Sequence, residues 1–146
     1  MQGPEKDAPT AQASIICDIY NQVAVDAEID PLSTDERTMA ERHLDSLSGK
    51  RCSARELIIF DRGYPPFDLI HKLETLGFTY VMRAPKNFNQ DAAAQKEGGG
   101  RTLLKRAGSD GMAARILKFD LESGEQEIPA ANLFDGRMGM KAFKHL

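Results

Sequence analysis

Residues 56–85 read ELIIFDRGYPPFDLIHKLETLGFTYVMRAP, and the order of apolar runs and breakers in this stretch decides the fold. Leu57 to Phe60 is a short unbroken apolar run, the kind found in strands buried on both faces beneath helices. It ends at Asp61. Gly63 and the Pro65, Pro66 pair break the extended chain, and proline suits the first turn of a helix, where a missing N–H costs nothing. Leu69, Ile70, Leu73 and Leu76 then recur at helical spacing, His71, Lys72 and Glu74 take the wet side, and Gly77 tolerates a left-handed stop. Phe78 to Met82 reads as a second strand. Such a strand, helix, strand unit lays its strands parallel, so Asp61 is expected at the carboxyl end of a sheet strand, where open α/β sheets bind ligands.

Upstream, residues 1–12 are polar, contain Gly3, Pro4 and Pro9, and read as a flexible arm. Asp7 lies there without an apolar strand leading into it and is no ligand candidate. Ser14 to Tyr20 and Val23 to Ile29 read as a hairpin turning at Asn21 and Gln22. Val23, Val25, Ala27 and Ile29 alternate with Ala24, Asp26, Glu28 and Asp30, the period of a half-buried strand. Asp18 and Asp26 either converge on a metal or, more simply, face solvent. Ser33 and Glu36 have the spacing of a capping box ahead of a helix running to about Leu47, with Met39, Ala40, His43, Leu44 and Leu47 as its inner stripe. On that stripe His43 is a packed histidine before it is a ligand or proton carrier.

Downstream, residues 85–100 carry three alanines and the Gly98 to Gly100 run, and read as a loop. No Lys followed by Ser or Thr stands behind those glycines in phosphate-loop order. Arg101–Arg106, Met112–Leu121 and Gln126–Phe134 read as three antiparallel strands joined by GSDG and ESGE turns, and a last helix follows Asp135 and Gly136. Arg83, Lys86, Lys96, Arg101, Lys105, Arg106 and Arg115 form the basic stretch of the chain, suited to phosphate contacts or equally to a solvated strand surface.

With 146 residues, 41% hydrophobic and 28% charged, the chain has the size of one domain. No apolar run is long enough to span a bilayer, and the N-terminus lacks a basic leader and an apolar signal core, so a cytoplasmic location without membrane partners is expected. Cys17 and Cys52 are too few for a disulfide framework and lack metal-ligand spacing; both are expected reduced. The net charge of −3 argues against strong binding of a duplex by this chain alone, because such affinity comes from neutralising phosphates.

The run DRGYPPFDLIHKLETLGFTYVMR, preceded by IICDIYNQVAVDAEID and STDERTMAERHL and followed by NLFD and MKAFKHL, resembles the region around the second catalytic aspartate of bacterial DDE transposases of the insertion sequence 4 class. The resemblance extends from about Ala13 to Leu146. It implies an α/β fold with an incomplete ribonuclease H-like mixed sheet over 13–146 and an antiparallel β insertion at about 101–134. In that family two aspartates and a glutamate hold two magnesium ions, which activate water or a 3′-hydroxyl for attack on a DNA phosphodiester. Asp61 takes the place of the second acid and is the implied catalytic and metal-binding residue. Arg62 and Tyr64 belong to the same motif and are implied to shape the substrate side. With Arg83, Lys86, Arg101 and Lys105 they make up the nucleic-acid-binding candidates.

The first aspartate of the class precedes the matched segment, and the glutamate follows it within a Tyr, Arg, Glu, Lys signature. Neither occurs here in that order, so the chain is expected to be an internal piece with one acid of three, and magnesium binding is expected of the intact enzyme. Three functions compete. The first is the middle of a cut-and-paste transposase acting on transposon ends and target DNA. The second is a truncated product that competes for DNA or joins transposase subunits unproductively. The third is a decayed reading frame.

Overall fold

The computed structural model describes residues 10–50, 56–61, 66–85, 100–104, 111–134, 139 and 141. The chain divides into two compact units, Met1–Arg51 and Cys52–Leu146. The last helix expected after Gly136 and most of the loop over 85–100 lie outside the described residues.

In the first unit, β1 (Ala11–Asp18) and β2 (Val23–Pro31) pair antiparallel and are followed by α1 (Glu36–Lys50). β1 begins at Ala11, two residues before the expected edge of the arm. The hairpin turn has no glycine; Gln22 takes a left-handed φ of 54°. Asp18 stabilises that turn by accepting hydrogen bonds from the backbone N–H of Asn21 at 3.0 Å and its side-chain amide at 2.7 Å. At the start of α1, Asp35 accepts from the N–H of Arg37 at 3.1 Å. The helix is therefore capped by Asp35, the residue just before its first turn, and not by the expected Ser33 and Glu36 box.

The hairpin corrects the sequence reading on one further point. Its alternation is present, but Ile15 is 56% exposed and Ile29 76%, so the apolar row faces away from α1. The polar row, Gln12, Ser14, Asp26, Glu28 and Asp30, meets the helix instead. Arg42 pairs with Asp30, and with Glu28 at 3.3 Å, while His43 bonds Asp26 and Ser14. A helix carrying Arg42 and His43 on the side that meets the strands satisfies them with carboxylates, and period-two patterning does not say which face that is. Met39, Ala40, His43 and Leu44 are buried as expected, whereas Leu47 is only half-buried.

In the second unit, β3 (Leu57–Phe60), α2 (Pro66–Thr75) and β4 (Thr79–Ala84) form the expected unit with β3 and β4 parallel. Leu69, Ile70 and Leu73 are fully buried, each contributing about 2 kcal/mol of transfer free energy. Gly77, at φ 71°, ends the helix: its N–H bonds Glu74 O at 3.0 Å and that of Phe78 bonds Leu73 O at 2.9 Å. β3 is less buried than its apolar run suggested. Leu57 and Ile59 are each 38% exposed, because β3 is an edge strand among the described residues and so one of its faces stays partly open.

β5 (Gly100–Leu104), β6 (Met112–Ile116), β7 (Phe119–Asp120) and β8 (Gln126–Ala131) complete one six-stranded sheet of order β3-β4-β8-β6-β5, with β7 beside β8. The downstream strands thus extend the same sheet, antiparallel through the β4–β8 pair, and the sheet is mostly antiparallel with one parallel pair. The chain is a mixed α/β protein. The strand expected over Met112–Leu121 is broken at Leu117 and Lys118. Pro129 explains the break. Its carbonyl accepts from Leu117 N at 3.0 Å, so its nitrogen also faces this strand and has no hydrogen to continue the ladder. Val81, Leu117, Phe119, Ala131 and Leu133 pack as one cluster, and the Asn132 side chain extends the β4–β8 pairing by bonding Phe78 O and Tyr80 N at 2.9 and 3.0 Å.

Candidate functional site

The parallel register pairs Phe60 with Met82, so the next residues, Asp61 and Arg83, lie side by side at the carboxyl end of β3. Arg83 Nη1 donates to Asp61 Oδ1 at 3.1 Å. The Asp61 side chain is 76% exposed. On the other side of β4, Arg83 Nε and Nη2 donate to Glu127 Oε2 and Oε1 at 3.2 and 2.5 Å. The Glu127 side chain is 5% exposed. Three neighbouring strands therefore carry a carboxylate, a guanidinium and a second carboxylate in a row. A carboxylate as buried as that of Glu127 is costly unless paired, and a two-bond guanidinium contact offsets that cost.

Chemically, Asp61 is an acceptor-only group at a strand tip, a hard oxygen donor of the type magnesium takes. Glu127 already spends both oxygens on Arg83. Among the described residues no three His, Cys, Asp or Glu side chains gather closely enough to hold a metal ion. The chain thus fits such an ion as the source of one exposed carboxylate, and the remaining ligands lie outside the described residues.

Of the other sequence candidates, Arg83 is brought to Asp61, and Arg101 is not. Arg101 stands on β5 at the far edge of the sheet, with its guanidinium 5.2 Å from the centroid of the Phe134 ring. Arg115 donates to Leu133 O at 3.2 Å. Arg62, Tyr64, Lys86 and Lys105, with Lys96 and Arg106, lie outside the described residues. Asp18 and Asp26 do not converge: Asp18 serves its turn, and Asp26 bonds His43 Nδ1 at 2.8 Å. His43 is fully buried, with its Nε2 3.0 Å from Ser14 Oγ, and is the packed histidine of the helix stripe. The hydrogen bond from His43 holds the Asp26 carboxyl below its ordinary value, with the charges of His43 and Lys50 adding to the effect.

Glu127 escaped the sequence reading. The signal was there: in QEIPAANLF it is the one charged residue of an apolar run, and a charge in such a run needs a buried partner.

The family model described as Transposase DDE domain matches residues 2–124, most of the chain. The match includes Asp61 and Arg83 and stops short of Glu127. No curated protein and no solved structure matches the chain. No helix among the described residues is long and apolar enough to cross a membrane.

Proposed function

The chain belongs to the transposase DDE domain family, and from that membership we propose that it serves DNA strand cleavage and strand transfer in transposition, contributing Asp61 as one of three metal-binding acids. The finer reading is an insertion sequence 4 class enzyme with a ribonuclease H-like catalytic core. What carries it is the position of Asp61, exposed directly after β3 where the two parallel strands end. Ligand sites of α/β sheets collect at that end of the strands. The lack of a three-ligand cluster among the described residues means that the partner acids come from elsewhere in the working transposase.

Magnesium, when bound, supplies charge stabilisation for in-line displacement at a phosphodiester. The chain's own residues have simpler tasks. Asp61 offers oxygen ligands to the cation at the strand tip. Arg83 donates to Asp61 and moderates the negative charge that a DNA phosphate would meet there. Arg62 and Tyr64, the next residues of the same motif, belong to the substrate side, and Lys86, Arg101 and Lys105 are proposed contacts to the DNA backbone, which would position a duplex without reading its sequence.

The test is nicking of supercoiled DNA by the protein expressed from the whole open reading frame that encodes the chain. Magnesium-dependent nicking that Asp61→Asn abolishes, in a variant with an unchanged circular dichroism spectrum, supports the reading. Nicking that persists in the variant overturns the role of Asp61. A gel-shift series at rising salt checks the partner: phosphate contacts weaken steeply with salt, and no shift at the lowest salt removes DNA as a direct ligand of this chain.

A further inference from the structure

We infer that Arg83 and Glu127 are positioning residues for Asp61: Glu127 fixes the guanidinium of Arg83, and the fixed guanidinium selects one orientation of the Asp61 carboxylate. The inference rests on the reading of Asp61 as a metal-binding acid and adds to it the device that aims the acid.

The geometry is directional. A guanidinium is a planar fork whose donors are fixed relative to one another. Nε and Nη2 form one edge of it, and both reach Glu127, at 3.2 and 2.5 Å. Nη1 projects from another part of the plane and reaches Asp61 at 3.1 Å. Once Glu127 holds one edge, Arg83 can no longer swing to follow Asp61, so Asp61 must come to Arg83. An aspartate as exposed as Asp61 otherwise samples several staggered rotamers, and the entropy lost in choosing one falls on the ligand it binds. Groups bonded to a metal-ligating carboxylate have this effect generally, and losing one lowers metal affinity about 10- to 100-fold.

Burial makes Glu127 suited to the task. With 5% of its side chain exposed, it has little access to water, and its two bonds to Arg83 are not readily exchanged for solvent. It also stands on β8, two strands from Asp61, so the chain of contacts Glu127, Arg83, Asp61 crosses β8, β4 and β3 in order. A pair that merely joined β4 to β8 would have no need of the third bond, and the orientation of Asp61 would not depend on it.

The experiment reads orientation in the full chain by nuclear magnetic resonance. Three-bond couplings to the Asp61 carboxyl carbon report its χ1 rotamer, and the Arg83 Nε–H signal reports the hold of Glu127. Wild type is expected to give one Asp61 rotamer and a slowly exchanging Arg83 Nε–H. In Glu127→Gln the Nε–H signal exchanges rapidly and the couplings average, while the amide spectrum elsewhere stays that of the folded protein. Arg83→Lys, which keeps the charge and loses the fork, is expected to average the couplings too, and it serves if Glu127→Gln does not fold. Manganese supplies the second readout. Its broadening of signals around residue 61 is expected to need about tenfold more metal in Glu127→Gln. Averaged couplings in wild type, or a single rotamer that survives in the folded variants, overturn the inference. Broadening that is unaffected by Asp61→Asn overturns the metal-binding reading of Asp61 and leaves the rotamer result standing.

Discussion

Replacing His43 by Ala is the sharpest probe of the first unit. His43 is fully buried where α1 meets the hairpin, with Nδ1 2.8 Å from Asp26 Oδ2 and Nε2 3.0 Å from Ser14 Oγ. A hydrogen bond to a charged partner contributes roughly 1.5–3 kcal/mol and one to a hydroxyl about 1 kcal/mol. Asp26 keeps 19% of its side chain exposed, so water recovers part of the first, and the lower end of that range applies. Loss of the buried ring adds a packing term, and the total is about 3 kcal/mol. The two units of the chain can open separately, so the assay is local: amide hydrogen exchange in β1, β2 and α1. Exchange there is expected to speed up about a hundredfold, since each 1.4 kcal/mol is a factor of ten, while β4 and β8 keep their protection. His43→Gln, which keeps a hydrogen-bonding amide, should lie between wild type and His43→Ala. Acceleration of less than about fivefold, roughly 1 kcal/mol, would refute the claim that polar contacts join the hairpin to its helix.

Other outcomes follow from the same contacts. Hydrogen bonding to His43 depresses the Asp26 carboxyl below 3.8, so Asp26 contributes stability above that pH and loses it as acid titrates the folded carboxylate. Exchange protection of the first unit should therefore fall at pH below 4, less steeply in Asp26→Asn; equal slopes would contradict this. Gly111 and Gly124 have φ values of 75° and 80°, but a Cβ on Gly111 would lie 3.2 Å from Leu104 O, whereas one on Gly124 meets nothing within 4 Å. Gly124→Ala should cost about 1 kcal/mol of backbone strain and Gly111→Ala distinctly more, as read by urea denaturation. Asn132→Ala strips the bonds to Phe78 O and Tyr80 N and should cost about 2 kcal/mol, read by loss of Tyr80 amide protection.

The central unit was legible in the sequence because its signals agree. The apolar run before Asp61, the prolines, the helical spacing of Leu69, Ile70 and Leu73, and Gly77 each specify the same turn of the chain, and local agreement of that kind survives packing. The hairpin was legible as a period and not as an orientation: alternation says that two faces differ, and the polar stripe of α1 decided which one met the helix. The break between β6 and β7 depends on Pro129, a residue that acts on a neighbouring strand and leaves no mark in the sequence of the strand it interrupts. The site followed the same rule. Asp61 stood out at the end of a strand, but its link to Glu127 joins residues 61, 83 and 127, and pairing across three strands is settled by register, which no local pattern encodes.

The central claim is that Asp61 offers its carboxylate to a divalent ion at the tip of β3. Iron-mediated backbone cleavage tests it most directly: ferrous ion takes the place of magnesium, and with ascorbate and peroxide it cuts the polypeptide where it is bound. The account predicts cuts close to residue 61 that excess magnesium suppresses and Asp61→Asn removes. Cuts that avoid this strand tip, or that persist unchanged in the variant, would contradict it.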